Sequence, residues 1–286
     1  MREAKLMLKG LLKAPKMLSR RRKNAKIIRH HDELSDQQLD RFANKLQQGF
    51  GIYKIDDILE SKGLSEKLRV SDIRTLPLNG KRVFFSWNIP AFLWEAILES
   101  ETLYNLAASY IGPNVRLDDL YVKNVADGYD ATAEGWHDDN VGYRLKVFMV
   151  YDTEGIPAAT VIRPKNRPNL YQVNYKQDLQ RILKNKDTSA KENEITVEYS
   201  AGDCLIFDTN IEHRGSYHLG EGARYCVVAE FIDRDKANAL MGKAPCGPKQ
   251  GKGKIVIPPL KTSLLYNRII DPDLLKSNGS SLEYGY

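Results

Sequence analysis

Two residues in the middle of the chain, His137 and Asp139, have the side-chain types and the spacing of a metal site. Residues two apart on a β-strand direct their side chains to the same face, so this imidazole and this carboxylate would point to one side. A second imidazole from another strand would place two nitrogens and one carboxylate around a single ion and leave its opposite positions open. His213 is the candidate, because it follows a turn and an apolar run at residues 201–208 that predict a core strand.

A cation follows this second histidine and bears on the same chemistry. Arg224 lies eleven residues after His213 and opens the apolar run at residues 225–231, which predicts a further strand. A guanidinium presents a rigid fork of donors that matches a carboxylate in bidentate fashion. The four residues together therefore predict a metal ion beside a carboxylate-binding group. The structural alternative is a strand pair in which Asp139 merely orients His137, with His213 as a core histidine.

The motif strings around these residues resemble a known family. Trp-His-x-Asp stands at residues 136–139, Gly-Asp-x-Leu-x-Phe at 202–207 and His-Arg-Gly at 213–215, with Arg224 trailing. This set is similar to that of the phytanoyl-CoA dioxygenase superfamily of Fe(II)/2-oxoglutarate oxygenases. The resemblance covers residues 34–233, which is most of the chain.

The resemblance implies a set of cofactors and ligands. The implied Fe(II) ligands are His137, Asp139 and His213. Arg224 would hold the far carboxylate of 2-oxoglutarate, and Tyr121 and Lys123 would lie near this co-substrate or at the pocket mouth. For Lys123, a solvated side chain is an equally good interpretation. The carboxylate of Asp139 fills the place that a halide takes in related halogenases, so the resemblance implies hydroxylation.

One loop departs from the family pattern. After the turn at Gly155, the string Val-Ile-Arg-Pro-Lys-Asn-Arg at residues 161–167 carries three cations. These cations are either a solvated loop or the rim of a pocket for a substrate with phosphate or carboxylate groups. The departure also means that phytanoyl-CoA is not implied as the substrate, which we expect to be a small molecule.

The basic charge of the protein is confined to its N-terminus. The net charge is +6, yet residues 1–30 hold eleven Lys and Arg against one acid, Glu3. The other residues hold 32 basic and 36 acidic side chains, so the folded body is no nucleic-acid binder on charge grounds. Apolar residues at 4, 7, 8 and 11 oppose lysines at 5, 9, 13 and 16 on a helix. This arm predicts contact with anionic membrane through residues 1–30, or else a solvated tail.

The rest of the chain predicts one oxygenase-sized domain. A helix is expected at residues 35–46 and another from Pro90 to about residue 111, followed by short strands up to Asp233. This order predicts a mainly β fold (α+β), in which a double-stranded β-helix, or jelly roll, is buttressed by N-terminal helices. We expect an arm at residues 1–31, the domain at 32–235, and a Gly/Lys/Pro-rich loop and tail at 236–286. His30 and His31 are expected to be solvated.

The three cysteines predict a reducing compartment. Cys204 and Cys226 lie inside apolar runs and Cys246 lies in a Gly/Pro loop, so we expect free thiols and a cytoplasmic protein, peripheral at the membrane if the arm binds lipid. The alternative to an oxygenase is a non-catalytic, metal-binding jelly-roll module that the basic arm docks to a membrane or a partner.

Overall fold

A computed structural model gives the architecture of the chain. It describes residue 12 and residues 14–32, 49–71, 73, 83–87, 89–125, 135–139, 141–155, 157–164, 177, 180, 187, 189–215 and 223–241. The strands are β1 Phe50–Lys54, β2 Val83–Ser86, β3 Val115–Val125, β4 Arg144–Asp152, β5 Ala158–Ile162, β6 Ile195–Tyr199, β7 Asp203–Asp208, β8 His213–Gly215 and β9 Arg224–Asp233. The helices are α1 at residues 14–32, α2 Ile55–Ile58, α3 Leu64–Arg69, α4 Ala91–Glu99, α5 Glu101–Ile111 and α6 Arg234–Met241.

The larger sheet has six antiparallel strands in the order β1-β7-β4-β9-β3-β2. Its long strands are apolar on both faces, because each face is covered. Alternate residues of β4 such as Val147 and Met149 join a core with the helices, and the residues between them, such as Phe148 and Val150, face the other way. One face of the sheet therefore packs on α2–α5.

The opposite, inner face packs on the second sheet, whose strand order is β6-β5-β8. Ala158, Ile162 and Tyr199 of that sheet share one buried cluster with Phe148 and Phe207 of the large sheet. Residue 137 pairs with β8 through an isolated antiparallel bridge and takes the fourth place in the small sheet. Two facing antiparallel sheets with helices on one outer face confirm the predicted jelly-roll class.

The helix predicted from Pro90 onward is two helices, because Ser100 breaks it. The Ser100 hydroxyl accepts a hydrogen bond from the Leu103 N–H (2.9 Å) and so caps the start of α5. The same hydroxyl donates to the Ile58 carbonyl at 2.7 Å, which ties this corner to α2. The apolar stripe that predicted one helix is real, and both halves bury it against the sheet.

The N-terminal helix α1 packs on the domain through its last turns. Ile28 and Asp32 are fully buried, and Asp32 forms an ion pair of 2.8 Å with Lys236 of α6, which is also buried. The Lys236 ammonium also donates to the Tyr143 carbonyl at 2.5 Å. His31 lies near Asp233, at 3.9 Å, so the expectation that His31 is solvated is wrong. The expected boundaries at residues 31 and 235 both fall inside packed helices.

Several expectations concern residues outside those described, namely the helix at 35–46, the amphipathic segment at 1–11 and the loop and tail from residue 242. Cys204 and Cys226 are buried free thiols, as predicted. Within the described residues, none of the helices has both the length and the apolar character needed to cross a bilayer.

Candidate metal centre

The three predicted ligands come together in the structure. A ligand atom from each of His137, Asp139 and His213 lies within 4.8 Å of the other two. The backbones of His137 and His213 exchange two hydrogen bonds, of 3.1 and 2.8 Å, so the two histidines are held side by side. The strand expected at residues 137–139 is only this bridge, and the Asp139 N–H instead bonds the Thr209 carbonyl at 3.1 Å. That contact turns the carboxylate toward the two imidazoles.

Both histidines are fixed in the tautomer that suits a metal ligand. The Nδ1 atom of His137 lies 2.8 Å from the Gly135 carbonyl, and that of His213 lies 3.0 Å from the Ile211 carbonyl. A carbonyl only accepts, so each Nδ1 carries the hydrogen and each Nε2 is the ring nitrogen that carries a lone pair. Burial, reinforced by the neighbouring His137, lowers the pKa of His213 to about 3, so this imidazole is neutral at physiological pH.

A lysine holds the carboxylate of the site in its charged form. Lys146 of β4 donates to Asp139 Oδ2 at 2.7 Å, while Asp139 Oδ1 lies 3.9 Å from His213 Nε2. Burial alone would raise the pKa of Asp139, but Lys146 and the other nearby charges hold that pKa well below its usual range. One oxygen is therefore committed to Lys146 and the other faces the imidazoles.

Behind Lys146 lies a buried layer of charged side chains on the inner face of the large sheet. Glu230 accepts from Lys146 at 3.2 Å and pairs with Arg144, which also donates to Asp118 at 2.8 Å. The Tyr121 hydroxyl donates to Glu230 at 3.0 Å. Each charge in this layer has an opposite partner, as buried charges require. The layer fixes Lys146, and through it the orientation of Asp139.

A second polar site lies on the same inner face, around Arg224. Its guanidinium donates to the Tyr199 hydroxyl at 2.5 Å, and that hydroxyl lies 2.9 Å from Thr160 Oγ1. Arg224 is only 6% exposed, and its Nε has no acceptor among the described residues. No described carboxylate forms an ion pair with it either. A buried guanidinium without a counter-charge is costly, so this site is suited to an anion.

Lys123 lies beside Arg224 and is also without a described carboxylate partner. The Lys123 ammonium and the Arg224 guanidinium lie 5.8 and 5.7 Å from the centre of one ring, that of Phe148. Burial, and next the charge of Arg224, lower the pKa of Lys123 to about 8. Asp139 and Lys146 also act on this pKa, so Lys123 is within electrostatic reach of the metal centre. The two cations therefore form one positively charged site around the Phe148 ring.

Two aromatic rings connect the anion site to the metal centre. The Phe148 and Phe207 rings have centroids 5.5 Å apart, and the Phe207 ring meets the His213 ring at 5.0 Å in an edge-on arrangement. Both phenylalanines are buried, so the space between the two polar sites has an apolar floor. Arg224 and the predicted ligands are therefore connected by buried aromatic side chains between the sheets.

The side chains flanking the ligands serve to pack them. Trp136 is buried, donates from its indole to the Ser189 carbonyl at 2.7 Å, and has the cations of Lys191 and Arg214 over its ring. Of the three cations expected at the pocket rim, Arg163 is paired with Glu212, and the other two lie outside the described residues. Arg163 is therefore already neutralised.

Sequence reasoning missed the residues that support the site. Lys146, Phe148 and Tyr199 were read only as strand residues, yet each contacts a predicted functional side chain. The available signal was a charged residue inside the apolar run of β4, because a Lys between Leu145 and Val147 needs a buried partner.

Comparisons with known proteins find similarity to solved structures alone. No protein-family model matches the chain, and no curated protein matches it. HygX from Streptomyces hygroscopicus, crystallised with nickel and 2-oxoglutarate, is 14% identical with a TM-score of 0.49, over 68% of this chain and 86% of that one. EctD from S. alaskensis with bound Fe is 12% identical with a TM-score of 0.43, over 74% and 87%. The non-heme alpha ketoglutarate dependent epimerase SnoN from nogalamycin biosynthesis is 16% identical with a TM-score of 0.39, over 68% and 83%. At such identities and scores, the chemistry of this chain has to be argued from its own residues.

Proposed function

We propose that this protein is an Fe(II)- and 2-oxoglutarate-dependent dioxygenase that hydroxylates a small molecule. The observation that carries the proposal is the convergence of two imidazoles and one ionised carboxylate, with each Nδ1 turned to a backbone carbonyl and each Nε2 left as the ligand nitrogen. This donor set binds Fe(II) on one side and leaves the opposite coordination positions open. When bound there, the iron supplies the activation of dioxygen and of a chelated 2-oxo acid.

The donor set alone would also suit zinc, but the anion site favours iron over zinc. A 2-oxo acid that chelates the metal and has a second carboxylate needs a cation to bind that second carboxylate away from the metal. Arg224 offers its fork there, with the Tyr199 and Thr160 hydroxyls beside it and Lys123 across the Phe148 ring. This arrangement supports 2-oxoglutarate as the co-substrate, with Arg224 and Lys123 as the residues that bind its far carboxylate.

The residues of the chain have separable roles in the proposed reaction. His137, Asp139 and His213 hold the metal, and Lys146 occupies the outer oxygen of Asp139 so that a single carboxylate oxygen faces the ion. The apolar rings of Phe148 and Phe207 exclude water between the metal and Arg224. Tyr121 was predicted to lie near the co-substrate or at the pocket mouth. Because its hydroxyl donates to Glu230, we assign its ring to the pocket mouth.

Hydroxylation can be tested separately from binding. Purified protein with added Fe(II) and 2-oxoglutarate should release succinate slowly without substrate, and a screen of lipids, saccharides and acyl thioesters should find one that gains a single oxygen atom. Asp139→Ala is the control, because it removes a metal ligand. Absence of succinate release from iron-loaded wild type would favour the alternative of a non-catalytic metal-binding module.

A specific observation also supports the expected contact with anionic membrane. Helix α1 has no acidic residue in positions 14–31, and its exposed side carries six cations. These are Lys16, Arg20, Arg22, Lys23, Lys26 and Arg29. Leu12 is 74% exposed and, four residues before Lys16, lies on the same side. An exposed leucine among cations suits a lipid surface, where each cation contributes on the order of 1 kcal/mol. Such a surface would bring the enzyme to an anionic or lipid-linked substrate.

Co-sedimentation with vesicles tests this contact. Full-length protein should pellet with phosphatidylserine vesicles at low salt and stay in solution with phosphatidylcholine vesicles. The double variant Lys16→Glu/Lys23→Glu should lose most of the binding, and Lys62→Glu, an exposed cation elsewhere, should not. Substitution is preferable to deletion of α1, because deletion also removes the buried Ile28. Equal pelleting of the three proteins would refute the contact.

A further inference from the structure

Three aromatic rings lie in contact at the open edge of the large sheet, on the inner face that also carries Lys146 and Arg224. Phe85 is on the edge strand β2 opposite Lys123, so its side chain lies on the inner face with those of Lys123 and Tyr121. The ring centroids of Phe85, Trp87 and Tyr121 are 6.5, 6.0 and 6.0 Å apart in pairs. Phe85 is 47% exposed. We call these three residues the aromatic platform.

The aromatic platform is not part of the core between the sheets. The buried cluster that joins the two sheets contains described residues of β4, β5, β6, β7 and β9, and Tyr121 packs at its margin. Phe85 and Trp87 are outside that cluster. Large aromatic faces that stay accessible beside a polar cavity mark binding surfaces more often than packing.

A continuous chain of contacts links the platform to the predicted metal ligands. The Tyr121 hydroxyl bonds Glu230 at 3.0 Å, the same Glu230 oxygen lies 3.2 Å from Lys146 Nζ, and Lys146 bonds Asp139 at 2.7 Å. The platform is therefore connected to the candidate metal centre by three polar contacts on the inner face of the large sheet.

The chemistry of the platform restricts what it can hold. The Trp87 indole N–H is already donated to Asp119 at 3.2 Å, and the Tyr121 hydroxyl is committed to Glu230. The platform therefore offers ring faces rather than polar atoms. Ring faces carry negative charge density and attract the weakly positive hydrogens of C–H bonds, besides burying apolar area.

We propose that the aromatic platform is the substrate subsite, and that it binds a saturated ring, alicyclic or sugar, whose C–H bonds face the three aromatic side chains. The choice of a saturated ring rests on the proposed function, because hydroxylation requires an aliphatic C–H bond near the metal. The ring would then lie on the same inner face of the large sheet as Lys146, which bonds Asp139.

Trp87 provides the measurement. Trp94 and Trp136 are 2% and 4% exposed, whereas Trp87 is partly exposed on the platform. Tryptophan emission is titrated with cyclohexanol and with methyl β-glucopyranoside as the two ring probes, and with hexan-1-ol and sorbitol as their open-chain counterparts. We expect a saturable change with one ring probe, which identifies the source of the ring, and at least roughly tenfold weaker binding of its open-chain counterpart. The change should vanish in Trp87→Phe.

Two further variants separate the subsite from the fold. Phe85→Ala should weaken binding of the ring probe at least roughly tenfold. Ile52→Ala is the matched control, because Ile52 is 44% exposed and lies on the same face at the opposite edge of the sheet. Both variants should bind Co(II) as wild type does, which shows an intact metal centre. Equal binding of ring and open-chain probes, or unchanged binding in Phe85→Ala, would overturn the proposal.

The outcome is distinguishable from failure of the proposed function. Co(II) and 2-oxoglutarate affinities are measured on the same samples, without any ring probe. Saturable ring binding without 2-oxoglutarate binding would leave the subsite standing and refute the oxygenase. Binding of 2-oxoglutarate and succinate release, with no response to either ring probe, would refute the subsite alone.

Discussion

Arg224→Ala tests the anion site most directly, because the expected loss can be worked from the structure. The guanidinium is 6% exposed and has no described carboxylate partner, so the ligand carboxylate would be its counter-charge. Losing one partner of a buried, hydrogen-bonded charge pair costs about 2–5 kcal/mol. The Tyr199 hydroxyl stays in place in the variant, so we expect about 3 kcal/mol, or roughly a 150-fold weaker affinity for 2-oxoglutarate.

The assay is calorimetric titration of the Co(II)-loaded protein with two 2-oxo acids. 2-Oxoglutarate has the far carboxylate and 2-oxobutyrate does not. The Arg224→Ala variant should lose affinity for the first and bind the second as wild type does. Arg224→Lys should recover part of the loss, since a point charge replaces the fork incompletely. Equal 2-oxoglutarate affinities in wild type and Arg224→Ala would place the carboxylate anchor elsewhere.

Unfolding of the ligand-free protein supplies a second check on Arg224. An arginine that stabilised the fold through an ion pair would leave a buried carboxylate unpaired when truncated, at a cost of about 3–5 kcal/mol. Arg224 has only the Tyr199 hydroxyl as its described side-chain partner and has no described counter-charge. Truncation loses a hydrogen bond of about 1.5–3 kcal/mol but also removes an unpaired buried charge, so we expect a net loss below that range. A larger loss would mean that the guanidinium is structural.

Three further results are expected. His213→Ala should reduce Co(II) affinity below detection while circular dichroism stays that of wild type; retained Co(II) binding would remove His213 from the ligand set. The pKa of Lys123 near 8 means that its positive charge is lost above that pH, so 2-oxoglutarate affinity should fall by at most about tenfold per pH unit above pH 8. Calorimetry of Lys123→Met should show a flat profile there, and an unchanged profile would exclude Lys123. Gly142 has φ +71° and a Cβ placed there would lie 2.3 Å from an Asp32 oxygen, so Gly142→Ala should lower the free energy of unfolding by about 2–4 kcal/mol. In urea titrations Gly155→Ala, with φ +83° and no atom within 4 Å, should lose only about 1–2 kcal/mol, and equal losses would refute the clash.

The cluster of His137, Asp139 and His213 was predictable because its evidence is local in the sequence. His137 and Asp139 converge even though residues 138 and 139 are not in a strand, since the backbone of Asp139 is held by Thr209. The prediction of the second histidine depended on the strand pattern before it, and β7 and β8 follow that pattern. The apolar run at residues 225–231 likewise predicted a strand, and β9 contains it.

The supporting residues could not be predicted, because their contacts depend on strand register. Lys146 reaches Glu230 only because the two are direct partners between β4 and β9, and the sequence does not state that pairing. The packing of α1 was missed for a different reason. The excess of cations there indicated a solvated segment. Ile28 and Asp32, however, lie on one face of α1, and that face is buried against the domain.

The packing of α1 has a thermodynamic consequence for the metal centre. Asp32 and Lys236 hold the backbone of Tyr143, which lies four residues after Asp139 and directly before β4. The buried end of α1 is thus connected to the strand that carries Lys146, the partner of Asp139. If metal binding favours the packed position of α1, a membrane surface that binds α1 more tightly in that position must raise the metal affinity. The metal must then strengthen binding to that surface by the same factor. Membrane binding and iron binding would then be thermodynamically linked through the packing of α1.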